Sequence, residues 1–540
     1  MKKTTVLPLL AAAVFALSGC GLAGAASSSA AEEAASTAGE TPEAVGTAET
    51  GESGSPVSAS EMFTARDMEI GCDEETCAHI TLSGDTASSD SDAVQISGST
   101  VTITDEGVYL VTGTLDDGML VVSADDADKV QLVLDGVQIT NADSAALCVL
   151  EADKVFVTTA SGSENTLANG GSYTAIDDNN IDAVIFSKAD LTLNGAGTLT
   201  VEAAAGHGVV SKDDLVLTSG TYHISAESQG LSGKDSVRIA SGTYTITAGK
   251  DGIHAENADD ESLGFVYISG GTFSITADGD GVSAAAQLQI EGGDFTVTTG
   301  EGSASVTMET DSMGFGQRGG FMEESASDTG EDDTASRKGF KAGGSLTVTG
   351  GSFVTDTADD SFHAGGDILV TGGTFTLSTG DDAIHSDAAV TIQDGGFTIA
   401  YCYEGIEGQT VTIDGGVFDI DSVDDGINAA GGADSSGFGG GRPGQEQFSS
   451  DSDSFITING GEFVIVSSGD CIDSNGALTL NGGTLDLTCS SSGNTALDCD
   501  GTYTNNGADV TTNDGSENNP GQMGGGMGGA GGRGGRQAGA

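Results

Sequence analysis

The sequence predicts an all-β fold, a right-handed parallel β-helix in which each coil of about 22 residues contributes three short strands. Three observations support this solenoid: a glycine-rich motif with a fixed period, strand-like segments between the motifs, and no segment with the 3.6-residue period of a helix. Glycine supplies 86 of the 540 residues, but with 5 prolines the chain cannot be collagen-like.

The period is carried by a Gly-Gly or Ser-Gly pair followed by an aromatic residue. The aromatic positions, which Leu485 continues, are Tyr222, Tyr244, Phe273, Phe295, Phe353, Phe375, Phe397, Phe418 and Phe463. Their steps are 22, 29, 22, 58, 22, 22, 21, 45 and 22 residues, so each long step is one period plus an insertion. We expect loop insertions near 257–264, 301–336 and 431–454, and an interior stack of aromatic rings.

One unit shows how a coil is built. Residues 368–371 are apolar and β-branched, and Gly372-Gly373 then permits a sharp bend. Residues 374–378 alternate apolar with polar side chains, as half-buried strands do. After a second bend at 379–382, residues 383–386 form a third short strand with Ile384 inward and His385 outward.

The regions outside the repeat have simpler compositions. Residues 1–20 have a basic start, a short apolar core and Leu17-Ser18-Gly19-Cys20, which resembles a bacterial lipobox with Cys20 as the lipidation site. Residues 21–75 are predicted to form a disordered tether, 76–512 the β-helix, and 513–540 a Gly-rich disordered tail. The sequence therefore predicts an exported, lipid-anchored, monomeric protein exposed at the cell surface.

The charge balance restricts the choice of ligands. The chain has 82 Asp and Glu against 17 Lys and Arg, so it repels nucleic acid phosphates and attracts divalent cations. Much of this charge is also explained by the need of a surface protein for solubility.

Some of the acids are ordered along the repeat. The position two residues before the inward apolar residue of the third strand is acidic on four successive coils, at Asp360, Asp382, Glu404 and Asp425. Carboxylates about 4.8 Å apart repel each other by roughly 0.9 kcal/mol in water and about 3.5 kcal/mol at an effective dielectric constant near 20. Calcium, which takes six to eight oxygen ligands, is the expected neutralising ion. The alternative is that Asp-Asp-Gly is an ordinary turn former whose side chains bond the backbone.

Two groups of motifs resemble a known family. In the amino-terminal half these are residues 132–141, 164–167 and 187–195. In the carboxy-terminal half they are Asp381-Asp382-Ala383-Ile384-His385, Tyr403-Glu404-Gly405-Ile406-Glu407-Gly408 and Asp424-Asp425-Gly426-Ile427-Asn428. From about residue 75 to 512 the chain looks like the bacterial carbohydrate-binding domain family first characterised in cellulolytic clostridia.

The resemblance implies a parallel β-helix similar to pectate lyases, bound Ca²⁺, and binding of cellulose and acidic sugars. It carries calcium ligation over to Asp359, Asp360, Asp381, Asp382, Glu404, Glu407, Asp424 and Asp425. The neighbouring polar residues predicted to contact sugar are His363, His385, Asn428, Lys338 and Lys341. Two departures are the absence of Trp, which makes a flat aromatic platform hard to build, and the two lysines that replace column residues on one coil.

Three functions are compatible with these residues. The leading prediction is non-catalytic, calcium-dependent binding of a polygalacturonate-like acidic polysaccharide, with cellulose as a further partner and no catalytic residues. The second is a pectate-lyase-like polysaccharide lyase, in which Lys338, Lys341 or Arg337 would remove a proton. The third is a structural surface protein or adhesin without a sugar ligand.

Overall fold

The computed structural model describes residues 62–72, 76–174, 180–260, 262–308, 336–430 and 453–520. Within these residues it is a parallel β-helix with three strands per coil, as the repeat predicts. The predicted signal sequence and lipidated Cys20, the tether up to residue 61, most of the insertions at 301–336 and 431–454, and the tail after residue 520 lie outside the described residues.

Each strand pairs in parallel with its equivalent on the next coil, which generates three long sheets. Sheet 1 carries the aromatic motif and contains Glu164–Asn169, Thr198–Ala203, Thr221–Ala226, Thr243–Ala248, Thr272–Ala277, Asp294–Thr299, Ser352–Thr357, Thr374–Thr379, Gly396–Cys402, Val417–Ser422, Glu462–Ser467, Thr484–Cys489 and Asp509–Thr512.

Sheet 2 follows the bend after each insertion or turn and contains Lys154–Thr159, Asp190–Gly195, Asp214–Leu217, Ser236–Ile239, Phe265–Ile268, Leu288–Ile290, Leu346–Val348, Ile368–Val370, Phe455–Ile458, Ala477–Leu480 and Tyr503–Asn505. Sheet 3 contains Thr100–Ile103, Met119–Ser123, Leu147–Glu151, Ala183–Ser187, His207–Ser211, Leu231–Gly233, Ile253–Ala255, Val282–Ala284, Phe340–Ala342, Phe362–Ala364, Ile427–Ala429 and Ile472–Ser474.

A few longer strands turn the corner between sheets. Ile384–Ile392 and Ile406–Ile413 begin in sheet 3 and end in sheet 2, while Gly107–Leu115 and Lys129–Asn141 join sheets 2 and 1 in the first coils. At the amino-terminal end, Ala78–Gly84 pairs with Gly107–Leu115 and so extends sheets 2 and 1, and the antiparallel strands Thr86–Ser89 and Val94–Ser97 flank the end. Two short 3₁₀ helices lie at Ser303–Ser305 and Ser516–Asn518.

One hydrophobic core runs through the solenoid, and the predicted aromatic stack is its most regular part. Consecutive rings from Tyr222 to Phe463 lie parallel, with centroids 4.5–5.2 Å apart. Phe340 and Phe362, from sheet 3, meet the stack edge-on. Offset stacking and edge contacts are the favourable geometries for aromatic rings, so the period reflects packing and requires no ligand.

The glycine pair before each aromatic residue has a steric cause. Gly373 has φ of 126°, and a Cβ atom there would lie 3.1 Å from the ring of Phe375. A side chain at this position would be strained by the backbone and would press on the buried ring. Glycine at this position therefore permits both the bend of the chain and the packing of the aromatic ring that follows.

Two boundaries predicted from composition are wrong. Residues 62–72, assigned to the tether, lie on the outer face of sheet 2, where Asp67 is 1% exposed and Thr192 donates to its carboxylate at 2.7 Å. Residues 513–520, assigned to the tail, pack on the last coil, where Asp514 and Ser516 accept hydrogen bonds from the backbone of Ala496 and Leu497. Both segments carry polar side chains that bond the solenoid, a feature that composition does not show.

Within the described part of the chain, no helix has the length and apolar character needed to cross a bilayer.

Candidate metal centre and ligand-binding face

The candidate site follows the third side of the solenoid, where two polar columns run from coil to coil. The first column precedes the strands of sheet 3 and reads Asp251, Asp280, Lys338, Asp360, Asp382, Glu404, Asp425 and Asp470. The second column faces outward from those strands and reads His254, Ser283, Lys341, His363, His385, Glu407, Asn428 and Asp473. The register pairs each of these outward residues with its equivalent on the next coil, so the predicted in-register stacking is confirmed.

The first column is also a hydrogen-bond ladder. One carboxylate oxygen of Asp360 accepts the backbone N–H of Asp382 at 3.0 Å, and Asp382 accepts that of Glu404 at 3.0 Å. Asp425 accepts the backbone N–H of Asp470 at 2.6 Å. The alternative that these acids are turn formers is thus partly right, because their side chains bond the backbone. Each bond, however, reaches the backbone of the next coil and uses one of the two carboxylate oxygens.

On the coils around Lys338 the charge is balanced by the protein itself. The Lys338 ammonium lies 2.9 Å from an oxygen of Asp359 and 2.6 Å from one of Asp360. Burial by itself would raise the pKa of Asp360, but Lys338 and His363 hold it well below its usual range. Asp359, Asp360 and Asp381 form one cluster of oxygen atoms, and Lys338 occupies part of it. These three predicted calcium ligands are therefore a poorer cation site than the acids farther along.

His385 supplies the positive charge one coil farther on. Its Nδ1 lies 3.2 Å from Asp382 Oδ2 and 2.6 Å from Glu407 Oε2, and its Nε2 lies 3.3 Å from Asp387 Oδ1. Burial would lower the pKa of His385, but the hydrogen bonds to Asp382, Asp387 and Glu407 raise it far above its usual range. The pKa of Asp382 is raised by burial and by the charge of Asp381.

Farther along the columns, Glu404, Asp425, Asp470 and Asp473 have no lysine or arginine partner among the described residues. The sequence from 342 to 520 contains a single lysine or arginine, Arg442, which lies outside the described residues. Burial raises the pKa of Glu404 and Asp425, and neighbouring carboxylates raise both further. Here the columns have the unbalanced charge that the sequence predicts.

Three acids of this stretch were not among the predicted ligands. Asp470, Asp473 and Asp498 bring carboxylate oxygens within 4.8 Å of one another. Burial, with the charges of neighbouring acids, raises the pKa of Asp470 to about 8 and that of Asp473 to about 7. The sequence signal was the continuation of both columns after the insertion at 431–454.

The donor set of this stretch suits a hard cation. Asn428 donates through Nδ2 to both oxygens of Glu404, at 3.1 and 3.0 Å, while its buried Oδ1 has no hydrogen-bond partner. In register it lies between Glu407 and Asp473. Asn428 Oδ1 is thus a buried oxygen without a hydrogen-bond partner that lies among carboxylates. Ca²⁺ takes oxygen ligands, and every candidate ligand atom of this stretch is an oxygen.

Three of the five predicted sugar contacts are buried in this structure. Lys338, His385 and Asn428 are 7%, 1% and 7% exposed and each contacts a carboxylate, so their role in sugar binding stays a prediction. Their polarity arises from charge balance inside the columns. His363 and Lys341 remain partly exposed, with His363 stacked on His385 at 5.1 Å and Lys341 Nζ 3.4 Å from Asp280.

Comparison with known proteins places the chain in a family. A family model described as "Carbohydrate-binding domain-containing protein" matches residues 97–383. The chain belongs to this family of carbohydrate-binding domain-containing proteins. The match covers the amino-terminal coils and the columns as far as Asp382.

Two similar proteins cover part of the chain. A carbohydrate-binding domain-containing protein of Acetivibrio thermocellus is 37% identical over 152 residues, which are 28% of this chain and 53% of that protein. The chain thus spans about half the length of the curated relative it matches. A solved structure, the polysaccharide lyase-like protein from C. thermocellum in a gadolinium derivative, is 37% identical with a TM-score of 0.41, over 42% of this chain and 92% of the other.

Proposed function

We propose that this carbohydrate-binding protein is non-catalytic and holds acidic polysaccharide of the polygalacturonate type through Ca²⁺ at the cell surface, to which a lipid on Cys20 would anchor it. The observation that carries the proposal is the run of unbalanced carboxylates from Glu404 through Asp425, Asp470 and Asp473. Cellulose is a further candidate ligand.

The location of these acids favours a role in binding. Asp360 and Asp382 are fully buried, whereas Asp425, Asp470, Asp473 and Asp498 are partly exposed. When bound there, Ca²⁺ would supply positive charge and open coordination positions to the carboxylates of a sugar chain. The exposed acids would hold the ion at the surface, and the orphan Asn428 Oδ1 would add a neutral donor.

Net charge gives a second argument. At a formal charge of −65 the protein repels a polyanion, and the repulsion between exposed groups extends over about 8–10 Å at physiological salt. An acidic polysaccharide can therefore approach this surface closely only where a cation intervenes. A cation bound to the columns would both neutralise the acids and allow the acidic polysaccharide to approach.

The proposal is tested by retention of the purified protein on insoluble polygalacturonate. We expect binding in millimolar calcium and an apparent affinity weaker by at least roughly tenfold in chelator. The double variant Asp473→Asn and Asp498→Asn, which keeps side-chain volume, should show the same loss in calcium. Asp486→Asn, an exposed change on sheet 1 of a nearby coil, should bind as the parent does.

Each other result identifies a different function. Retention that does not respond to chelator or to the double variant rejects the calcium bridge. Release of an unsaturated product absorbing in the ultraviolet would identify a lyase. If the protein is retained on neither polygalacturonate nor cellulose, and neither polysaccharide changes its unfolding temperature, the result would favour a structural surface protein.

A further inference from the structure

The surroundings of His385 differ from those of a calcium site because a nitrogen atom is at the centre. Nδ1 lies 3.2 Å from Asp382 Oδ2 and 2.6 Å from Glu407 Oε2, and each of the three residues offers one ligand atom within 4.8 Å of those of the other two. In the protonated ring Nδ1 carries one hydrogen. That hydrogen can point directly at only one of the two carboxylate oxygens, so Nδ1 has more acceptors than it can serve. The arrangement offers three converging donor atoms to a single ion.

The charge at this place is not balanced by the imidazolium. Protonated His385 carries one positive charge and has three carboxylates around it, those of Asp382, Glu407 and Asp387. The acidic side chains outnumber the imidazolium three to one, and Asp382 is fully buried. Because an uncompensated buried charge is expensive, a divalent cation would remove a large electrostatic cost.

The other ring nitrogen is held as it is in metal sites. Nε2 lies 3.3 Å from Asp387 Oδ1, and the Asp387 side chain is one-third exposed. Metal-bound histidines commonly donate their second N–H to a carboxylate, which fixes the tautomer and the ring plane. Asp387 would orient the ring in this way while Nδ1 points at the ion.

We propose that Asp382, His385 and Glu407, which belong to the columns, form a site for one divalent first-row transition metal ion, distinct from the oxygen-only cluster of Asp470, Asp473 and Asp498. On binding, the imidazolium loses its Nδ1 proton to solvent and the neutral nitrogen becomes a ligand. Imidazole favours zinc, copper, iron or nickel over calcium, which prefers oxygen. Glu407, whose side chain is 19% exposed, gives the ion a route from solvent.

The preceding coil provides a natural control. His363 stacks on His385, and its Nδ1 lies 2.9 Å from Asp360 Oδ2. There, however, the Lys338 ammonium already lies 2.6 Å from the same oxygen. The Lys338 ammonium therefore takes the position that a metal ion would occupy, and of these two coils the one with His385 should bind zinc.

The test is zinc binding to chelator-stripped protein in millimolar calcium, measured by metal analysis after dialysis. We expect one equivalent of zinc retained by the parent protein and by His363→Gln, and loss of that equivalent in His385→Gln. Cobalt(II) in place of zinc should give a visible absorption band that disappears in His385→Gln. Zinc retained in His385→Gln, or displaced from the parent by calcium, would overturn the site.

A second variant, Asp387→Asn, tests the site even where His385→Gln fails to fold. Asp387→Asn leaves all three ligands in place and should weaken zinc binding about 10–100-fold. Unchanged zinc affinity in a folded Asp387→Asn protein would argue against the oriented histidine. The double variant at Asp473 and Asp498 should keep its zinc, so loss of calcium-dependent sugar binding and loss of the zinc site are distinguishable.

Discussion

Asp67 joins the amino-terminal segment to the solenoid through both its side chain and its backbone. Its carboxylate lies 2.9 Å from Lys154 Nζ, and its carbonyl accepts hydrogen bonds from Asn194 and Thr218 at 3.0 and 2.8 Å. Burial raises the pKa of Asp67, but Lys154 and the hydroxyls of Thr192 and Thr64 lower it to about 2. A charge this well bonded stabilises the docked segment at neutral pH.

Asp67→Asn should release residues 62–72 without unfolding the coils. Removing one partner of a buried ion pair costs about 3–5 kcal/mol, so the undocked population should rise at least roughly a hundredfold. Trypsin cleavage after Arg66, followed by mass spectrometry, measures the release. Asp153→Asn, which breaks an exposed pair with Lys129, is the matched control and should leave the cleavage rate unchanged. Equal cleavage of the two variants would show that Asp67 does not hold the segment.

At the scale of one element, the strand of sheet 1 is the unit that fixes the coil. Thr374–Thr379 places Phe375 and Leu377 in the core and leaves Thr374 and Thr376 exposed. Phe375 is parallel to Phe353 and Phe397, with centroids 4.9 and 4.5 Å away. Because a coil cannot bury its apolar face alone, these contacts between coils carry most of the stability of the strand.

Phe375→Ala should therefore destabilise the coils on both sides. Deleting a buried phenylalanine costs about 3–5 kcal/mol, because the site cannot collapse between fixed strands. Hydrogen exchange should accelerate in Ser352–Thr357 and Gly396–Cys402 and stay slow in distant coils such as Thr221–Ala226. Thr376→Ala, on the exposed face of the same strand, should change stability by less than about 0.5 kcal/mol. Uniform acceleration along the chain would mean that the solenoid unfolds as one unit.

At the scale of the whole molecule, basic residues are unevenly distributed. The sequence from 129 to 341 contains eleven lysines and arginines, nearly all of them in described coils, whereas 342–520 contains Arg442 alone. Acidic residues continue through the second region, where burial raises the pKa values of Asp470 and Asp473 to about 8 and about 7. The carboxy-terminal coils therefore depend more on protons or cations than the amino-terminal coils do.

This asymmetry predicts a pH dependence. The folded pKa values of Asp470 and Asp473 lie above the ordinary value of 3.8, so the folded state binds protons that the unfolded state releases. In chelator, stability should fall as the pH rises from about 5 to 8, with a loss of roughly 5 °C in unfolding temperature. Saturating calcium should abolish this slope. Scanning calorimetry at several pH values measures both effects.

The matched variants for this prediction are the neutral amides. Asp470→Asn with Asp473→Asn should flatten the profile in chelator, because the groups that take up protons are gone. Asp486→Asn should leave the slope in place, since its side chain is exposed. A stability that rises with pH in chelator would contradict the assignment of these acids as uncompensated.

The sequence by itself determined the fold and the stacking of the acids. A period of 22 residues, with a bend and an aromatic residue at a constant offset, has few solutions other than a solenoid of three strands per coil. Equal spacing along the chain then becomes vertical alignment, which is why Asp360, Asp382, Glu404 and Asp425 could be aligned without coordinates.

Only the tertiary structure decided which of those acids are already neutralised. Lys338 reaches Asp359 and Asp360 across a coil, and His385 is enclosed by three carboxylates, because side-chain direction and burial set these contacts and periodicity does not. The docking of residues 62–72 joins positions more than 100 residues apart. Such pairings depend on which faces the fold brings together, and no local pattern in the chain specifies them.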